Sequence, residues 1–268
     1  MMKQASYIMT YRESDGKRRE NLLTVLRWLV AQSGIEVIVV EQDRFPRLEG
    51  DLPHPECKRV FAYNPHGFNK SWGLNVGFHL ASTAILGFAD ADVIIGGNFD
   101  QAIGLCAGGY QAVKPYRRLI DLTDAESVTV RKGNFGFSPQ RGKQSARNRE
   151  DQHEHIVFCG GVFFVRREAF VRMGAWDERF VGWGGEDDAM TYKLERLRIS
   201  AVELDESAAL HLWHPRTRAT TYDQPCYEPN CALLRDYPRL TDAELHRLGE
   251  VQLSLMGNPD KHRPPAWN

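Results

Sequence analysis

Short apolar runs alternate with amphipathic stretches in the first part of the chain. Residues 6–11 and 35–40 are apolar runs of strand length, and the second is rich in β-branched side chains, as is typical of a buried parallel strand. Between these runs, four apolar side chains recur at helical spacing: Leu22, Val25, Leu26 and Leu29. A strand, a helix and a second strand in succession predict a βαβ unit, and therefore an α/β fold with a mostly parallel sheet.

The same alternation continues to the end of the chain. Further strands are predicted at residues 60–64, 84–89, 93–95, 156–165, 201–204 and 208–213. Helices are predicted at residues 71–82 and 167–173, from Glu186 onward, and after Thr241, which forms a capping box with Glu244. Because no internal repeat or second domain boundary interrupts the pattern, we expect one domain over residues 1–268, with C-terminal helices at about 226–260.

Three adjacent acids follow a tryptophan and two glycines within residues 180–190. Clustered carboxylates are costly to desolvate unless a cation or hydrogen bonds compensate them. Met190 and Leu194 recur at helical spacing, so the acids begin a helix whose dipole helps to keep them ionised. An acidic turn that only caps a helix does not explain the Trp-Gly-Gly before it. The motif consists of Trp183, Gly184, Gly185, Glu186, Asp187 and Asp188.

Two other short motifs predict a metal site. Asp90 and Asp92 directly follow the apolar run at residues 84–89, at the carboxyl edge where open α/β sheets bind ligands. His211 and His214 lie beside the end of another predicted strand, and two neutral imidazoles at this spacing can share one metal ion. We expect these side chains to converge with Asp187 around one cation and its ligand.

Charge is balanced over the chain but not along it. The formal net charge of −1 over 268 residues excludes a polyanion-binding molecule as a whole. Residues 114–149, in contrast, hold nine basic and three acidic residues, a local charge of +6. We interpret the second half of this segment as a long loop, which is either simply solvated or a groove for an anionic acceptor.

The cysteines and the first residues of the sequence indicate the cellular compartment. The five cysteines are odd in number and scattered, which favours free thiols in a reducing environment: Cys57, Cys106, Cys159, Cys226 and Cys231. The first residues lack the apolar core of a signal peptide, and the sequence has no apolar run of bilayer-spanning length. We therefore expect a cytoplasmic location and no membrane span.

Taken together, these motifs resemble the β1,4-galactosyltransferases and the related N-acetylgalactosaminyltransferases in their nucleotide-sugar catalytic domain. The resemblance runs from about Tyr7 to His214, and its most specific part is the string at residues 182–188. Its other anchors are Tyr11-Arg12, residues 68–77, residues 90–92, residues 133–138 and the Gly160-Gly161 pair. The resemblance implies a GT-A fold, in which a Rossmann-like mixed sheet is flanked by helices. The nucleotide-binding part would lie at about 1–95, and the acceptor and metal part at about 150–225.

The resemblance also implies a role for each matching residue. Asp187 would be the general base, with Glu186 beside it, and Gly184 and Asp188 would contact the acceptor. Asp92, His211 and His214 would bind Mn²⁺ or Mg²⁺. The donor would be bound by Thr10, Tyr11, Arg12, Phe68, Lys70, Asn75, Asp90, Ala91, Trp183 and Gly185. The sequence departs from the family where Ser14 replaces a basic residue near the nucleotide, and where lysine rather than arginine stands at position 70.

The implied activity is the metal-dependent, inverting transfer of a hexose from a UDP-sugar to an acceptor hydroxyl. The hexose would be galactose, N-acetylgalactosamine or glucose. One alternative is a glycosyltransferase that acts on a polyanion such as hydroxymethylated DNA or an acidic polysaccharide, which would use the basic segment at residues 114–149. An alternative of another class is a non-catalytic module that binds sugar nucleotides. A metal-dependent hydrolase is disfavoured, because the sequence presents no second metal cluster.

Overall fold

A computed structural model describes residues 3–48, 50, 52–139, 147–148, 156–205, 208–215 and 225–263. The strands are β1 (Ala5–Tyr11), β2 (Ile35–Asp43), β3 (Lys58–Tyr63), β4 (Ile85–Ala89), β5 (Val93–Ile95), β6 (Ala112–Lys114), β7 (Arg118–Asp121), β8 (Arg147–Asn148), β9 (Val162–Arg166), β10 (Ala201–Glu203) and β11 (Ala208–His211). The helices are α1 (Gly16–Val30), α2 (Lys70–Leu80), α3 (Phe99–Gly108), α4 (Asp124–Arg131), α5 (Arg167–Arg172), α6 (Glu186–Arg196), α7 (Tyr227–Asp236) and α8 (Asp242–Leu255).

Seven strands form one mixed sheet in the order β10-β6-β9-β4-β1-β2-β3. β4, β1, β2 and β3 pair in parallel, whereas β9 runs antiparallel to both β4 and β6. Apolar parallel strands must be covered on both faces. α1 and α3 pack on one face, and α2, α5 and α6 pack on the other. The chain therefore adopts the predicted α/β fold with a mostly parallel sheet.

A smaller sheet in the order β5-β11-β7-β8 joins the end of β4 to the region of the two histidines. β5 pairs antiparallel with β11, so that His211 lies opposite Val93. The Leu212 N–H donates to the carbonyl of Asp92 at 2.8 Å. This pairing is what brings the histidine segment to the Asp90–Asp92 loop, although the two are far apart in the sequence.

α2 packs against β1 with almost no space between them. A Cβ on Gly73 would lie 2.0 Å from Thr10 Oγ1, and one on Gly77 would lie 2.3 Å from Ile8 Cγ2. Two glycines one helical turn apart therefore let the helix backbone approach the strand. Because Lys70 begins this helix, the contact also sets the position of its side chain.

Two predictions about secondary structure are corrected. The strand predicted at residues 156–165 begins only at Val162, because residues 158–161 form a turn in which Gly161 adopts a φ of +73°. The segment at residues 114–149 is more regular than expected, since its first half contains β7 and α4. Most of its second half, from residue 140 to residue 149, lies outside the described residues, apart from the β8 backbone.

The capping box predicted at Thr241 is present at the start of α8. Within the described part of the chain, no helix combines the length and apolar character that crossing a bilayer requires.

Gly77→Ala is expected to lower the free energy of unfolding by about 1–3 kcal/mol, because the added methyl overlaps Ile8 in a packed core. Gly104→Ala is the matched control, since nothing lies within 4 Å of a Cβ there and alanine favours the helix by up to about 1 kcal/mol. Urea denaturation of both variants measures the difference. An equal or higher midpoint for Gly77→Ala would contradict the close contact between α2 and β1.

Candidate functional site

Asp92, His211 and His214 come together at the junction of the two sheets. All three are at least 93% buried, with relative exposures of 7%, 6% and 6%. His211 Nε2 lies 3.4 Å from Asp92 Oδ1, and His214 Nε2 lies 3.4 Å from Asp92 Oδ2. One oxygen and two nitrogen atoms therefore face a common point, within 4.8 Å of one another.

The other nitrogen of each imidazole has an acceptor that fixes its tautomer. His211 Nδ1 lies 2.6 Å from Asp121 Oδ1, and His214 Nδ1 lies 3.1 Å from the carbonyl of Pro215. A carbonyl can only accept, so His214 Nδ1 carries the proton and Nε2 presents its lone pair to Asp92. Burial lowers the pKa of His214 to about 4, although Asp92 opposes this shift. Two imidazoles beside a carboxylate, each with its Nδ1 held by an acceptor, form a donor set that fits a divalent cation.

Arg18, from the first part of α1, also reaches this cluster. One of its guanidinium nitrogens lies 3.7 Å from Asp92 Oδ2, and its side chain is 39% exposed. Burial alone would raise the pKa of Asp92, but the two imidazoles and Arg18 hold it well below its usual range. Arg18 therefore places a solvent-accessible positive charge beside the predicted metal ligands.

A second cluster surrounds Lys70 at the start of α2. Its Nζ lies 2.8 Å from Asp90 Oδ1, 2.9 Å from Asp187 Oδ1 and 3.9 Å from Glu186 Oε1. Asp90 and Asp92 are two residues apart, so the two clusters meet at one loop. The sequence analysis assigned Lys70 to the nucleotide, and it did not foresee that Lys70 pairs with the acids.

Burial and ion pairing act in opposite directions on these groups. Burial raises the pKa of Asp187, and the neighbouring Lys70 ammonium counteracts that rise. Burial, followed by the charge of Asp187, raises the pKa of Glu186 to about 8. For Lys70, burial alone would lower the pKa, but the surrounding carboxylates raise it well above its usual value. The expectation that the helix dipole keeps these acids ionised is therefore wrong for Glu186, because desolvation outweighs the dipole.

The Trp-Gly-Gly loop has a backbone that depends on glycine. Gly184 and Gly185 have φ angles of +98° and +91°, and a Cβ on Gly185 would lie 2.7 Å from the Phe180 ring. The loop is attached to the segment before α2, since the Gly182 N–H donates to the carbonyl of Phe68 at 2.7 Å. Trp183 is 41% exposed, and its ring stacks on Tyr227 with centroids 5.7 Å apart. A partly exposed aromatic side chain thus directly precedes the glycine pair and the acids of the motif.

Two residues predicted to contact the donor have side chains used in the interior. Thr10 Oγ1 donates to the carbonyl of Val40 and accepts from Gln42 Nε2. Asn75 is fully buried, and its side-chain amide bonds both backbone groups of Trp176. Both side chains hold α2 and its neighbours in place, and contact of Thr10 or Asn75 with the donor stays a prediction.

The remaining predicted residues lie around the two clusters. Tyr11 is buried with its hydroxyl toward Glu13, while Arg12 is partly exposed and donates to the carbonyl of His66. Phe68 and Ala91 are partly buried. Asp188 is exposed and lines a cavity of about 270 Å³ together with Thr191 and Tyr192.

Part of the basic segment makes internal contacts where the structure describes it. Lys114 is 1% exposed and donates to three backbone carbonyls. Arg131 bonds Asn21 and the carbonyl of Trp213. Arg117, in contrast, is exposed and lies near Glu203 and Asp205. Lys114 is therefore corrected from an anion-binding groove to a structural position.

Comparison with known proteins adds to this geometry. Residues 147–215 match the family model described as the N-terminal domain of galactosyltransferase. This range holds the Gly160-Gly161 turn, the acidic motif and both histidines. The mouse (Mus musculus) protein Beta-1,4-galactosyltransferase 4 is 27% identical over a stretch that is 25% of this chain and 24% of the mouse protein. The match thus spans about a quarter of that relative's length.

Two solved structures share the fold over most of the chain. One is GalNAc-T7 with UDP, GalNAc and Mn²⁺, at a TM-score of 0.57 and 14% identity, covering 92% of this chain and 54% of that one. The other is the mannosyltransferase PcManGT from Pyrobaculum calidifontis with GDP-Man and Mn²⁺, at a TM-score of 0.53 and 14% identity, covering 94% and 70%. The predicted GT-A fold is confirmed. The family match supports the resemblance to galactosyltransferases and a glycosyltransferase enzyme.

His211→Ala and His214→Ala are each expected to weaken Mn²⁺ binding at least ~10-fold, because each removes one nitrogen from the buried donor set. Asp121→Asn is expected to weaken it about 10- to 100-fold by releasing the orientation of His211. Calorimetric titration with Mn²⁺ measures all three. His246→Ala, at an exposed position on α8, is the control, and affinities equal to that control would remove these residues from a metal site.

Proposed function

We propose that this protein is a metal-dependent, inverting glycosyltransferase that moves a hexose from a UDP-sugar to an acceptor hydroxyl. The observation that carries the proposal is the shared loop between two clusters. Asp92 faces His211 and His214, and Asp90 two residues earlier is bridged through Lys70 to Asp187. A cation site for a diphosphate would thus lie beside Asp187, a partly buried carboxylate that could act on a sugar. The nucleotide and Mn²⁺ in the GalNAc-T7 structure support the choice of a UDP-sugar and of Mn²⁺.

The metal would be held by Asp92, His211 and His214, with Asp121 orienting His211 from behind. When bound, the ion supplies Lewis-acid stabilisation of the departing diphosphate. Carboxylate and imidazole ligands suit Mn²⁺, and also Mg²⁺. Arg18 would add a second positive charge for the diphosphate, since it is partly exposed beside Asp92.

Asp187 is the proposed general base. It accepts the proton of the acceptor hydroxyl while that oxygen attacks the anomeric carbon and the bond from this carbon to the diphosphate breaks. Proton transfer of this kind contributes roughly 10²–10⁴-fold to the rate. Lys70 favours the ionised form of Asp187, and protonated Glu186 would be a hydrogen-bond donor toward the sugar.

The donor and the acceptor would lie on opposite sides of the Glu186–Asp187 pair. Arg12, Phe68 and Asp90 are proposed to face the nucleotide and its sugar. Trp183, which is 41% exposed and stacks on Tyr227, would contact a sugar at the acceptor side, together with Gly184 and Asp188. Galactose, N-acetylgalactosamine and glucose remain the proposed sugars.

A neutral acceptor hydroxyl is favoured over a polyanion, because Lys114 and Arg131, two bases of the basic segment, are used within the protein. A non-catalytic module is disfavoured, because it would not need a candidate base, Asp187, paired with Lys70 close to the proposed metal ligands. All five cysteines are free thiols, which favours the cytoplasm as the compartment.

Asp187→Asn is expected to reduce transfer at least ~10²-fold while leaving the donor affinity within about threefold, because the amide cannot accept the proton. Release of nucleoside diphosphate from a panel of UDP-sugars with Mn²⁺, together with donor titration, measures both effects. Asp242→Asn, in the first turn of α8, is the matched control, since it also removes an acid from a helix start. Wild-type turnover in Asp187→Asn would show that the base lies elsewhere.

The rate is expected to rise with pH on its acidic side, because Asp187 must be deprotonated to act as a base. Lys70→Met removes the charge that lowers the pKa of Asp187, so this limb of the kcat/KM profile moves to higher pH. Lys70→Arg keeps the charge and is expected to keep the limb near its wild-type position. Identical limbs in the Met and Arg variants would mean that Lys70 does not tune the base.

A further inference from the structure

Lys114 at the end of β6 is a buried ammonium whose hydrogen-bonding capacity is fully used. Its Nζ donates to the carbonyls of Val157 at 2.8 Å, Phe158 at 2.9 Å and Gly160 at 2.9 Å. An ammonium has three N–H donors, so none is left for a ligand. All three acceptors belong to the segment between residues 157 and 160, which Lys114 therefore holds in a fixed turn.

This turn touches both proposed reacting sides of the site. A Cβ on Gly160 would lie 3.4 Å from Asp187 Oδ2, so the backbone of the turn passes directly against the proposed base. On the other side, the Asp90 N–H donates to the carbonyl of Gly161 at 2.8 Å. A shift of the turn would therefore move the surroundings of Asp187 and Asp90 together.

Tyr116 completes the support beneath the turn. Its hydroxyl accepts from the Val162 N–H at 2.8 Å and lies 3.3 Å from the carbonyl of Gly160. Gly161 has a φ of +73°, and a Cβ there would lie 2.2 Å from that hydroxyl. Burial lowers the pKa of Lys114 to about 8, with Cys159, Glu203, Asp187 and Asp90 acting in the opposite direction. An apolar side chain at position 114 would remove the donor to the Phe158 carbonyl, whereas the Val157 carbonyl would keep the Gly160 N–H and the Gly160 carbonyl would keep the Tyr116 hydroxyl.

We propose that Lys114 is a positioning residue for sugar transfer, because its ammonium fixes the 157–161 turn against Asp187 and Asp90. This inference rests on the proposed function for its catalytic consequence and on the hydrogen bonds alone for its structural part. It replaces the idea that Lys114 binds an anionic acceptor.

The chain offers a matched control in Lys193. That side chain is also 1% exposed, donates to the carbonyl of Ala175 at 2.8 Å and to Gln252 at 2.5 Å, and has its pKa lowered to about 8 by burial. Lys193 joins α6 to α8, and its hydrogen bonds among the described residues go to Ala175 and Gln252 rather than to the turn. It therefore reports the general cost of losing a buried ammonium.

The test compares Lys114→Met with Lys193→Met. Both are expected to lower the denaturation midpoint. Only Lys114→Met is expected to speed amide hydrogen exchange in the peptide around residues 157–164, and to lower kcat at least ~10-fold with the donor KM within about threefold. Lys193→Met should keep kcat within about twofold. If Lys114→Met does not fold, Lys114→Gln, which retains two N–H donors, is measured in the same way.

Two results would overturn the inference: unchanged exchange in the turn, or a kcat equal to that of Lys193→Met at equal folded fraction. Failure of the proposed function has a different signature, because the wild-type protein would then release no nucleoside diphosphate from any UDP-sugar with Mn²⁺. In that case the proposed effect of Lys114 on catalysis is rejected, while the hydrogen-exchange measurement still shows whether Lys114 fixes the turn.

Discussion

The ion pairs of Lys70 are the interaction on which the site depends. They join the start of α2, the end of β4 and the start of α6, which lie far apart in the sequence. Without a cation at this point, Asp90 and Asp187 would be partly buried like charges close to each other. The supporting contacts serve the same end, since Asn69 caps α2 and also donates to the carbonyl of Glu178 just before the acidic motif. The charges of Asp90 and Asp187 are thus compensated, because the fold places the Lys70 ammonium between them.

The balance between burial and charge then divides the roles of neighbouring acids. Asp187 Oδ1 lies 2.9 Å from Lys70 Nζ, whereas Glu186 Oε1 is 3.9 Å away. Burial raises the pKa of both carboxyls, and the Lys70 ammonium counteracts that rise in each. The shorter ion pair supports Asp187 rather than Glu186 as the carboxyl that accepts a proton.

Much of the fold followed from local pattern, while the errors came from contacts between distant residues. Apolar runs located β1, β2 and β4, and the motif spacing located Asp92 and the two histidines. The strand predicted over residues 156–165 was too long, because an apolar run does not reveal that Lys114 binds the carbonyls within it. Lys114 was counted as surface charge, since burial of a lysine cannot be seen in composition. Asp121 carries no local signal, because only the pairing of β7 with β11 brings it to His211.

The close contact between α2 and β1 restricts how this region can diverge. Gly73 sits against Thr10, and Gly77 against Ile8, so a larger residue on the helix requires a smaller one on the strand in the same lineage. Inherited variation at these positions should therefore be paired rather than independent. Gly104 on α3, in contrast, can be substituted without a second change, because nothing lies within 4 Å of a Cβ there.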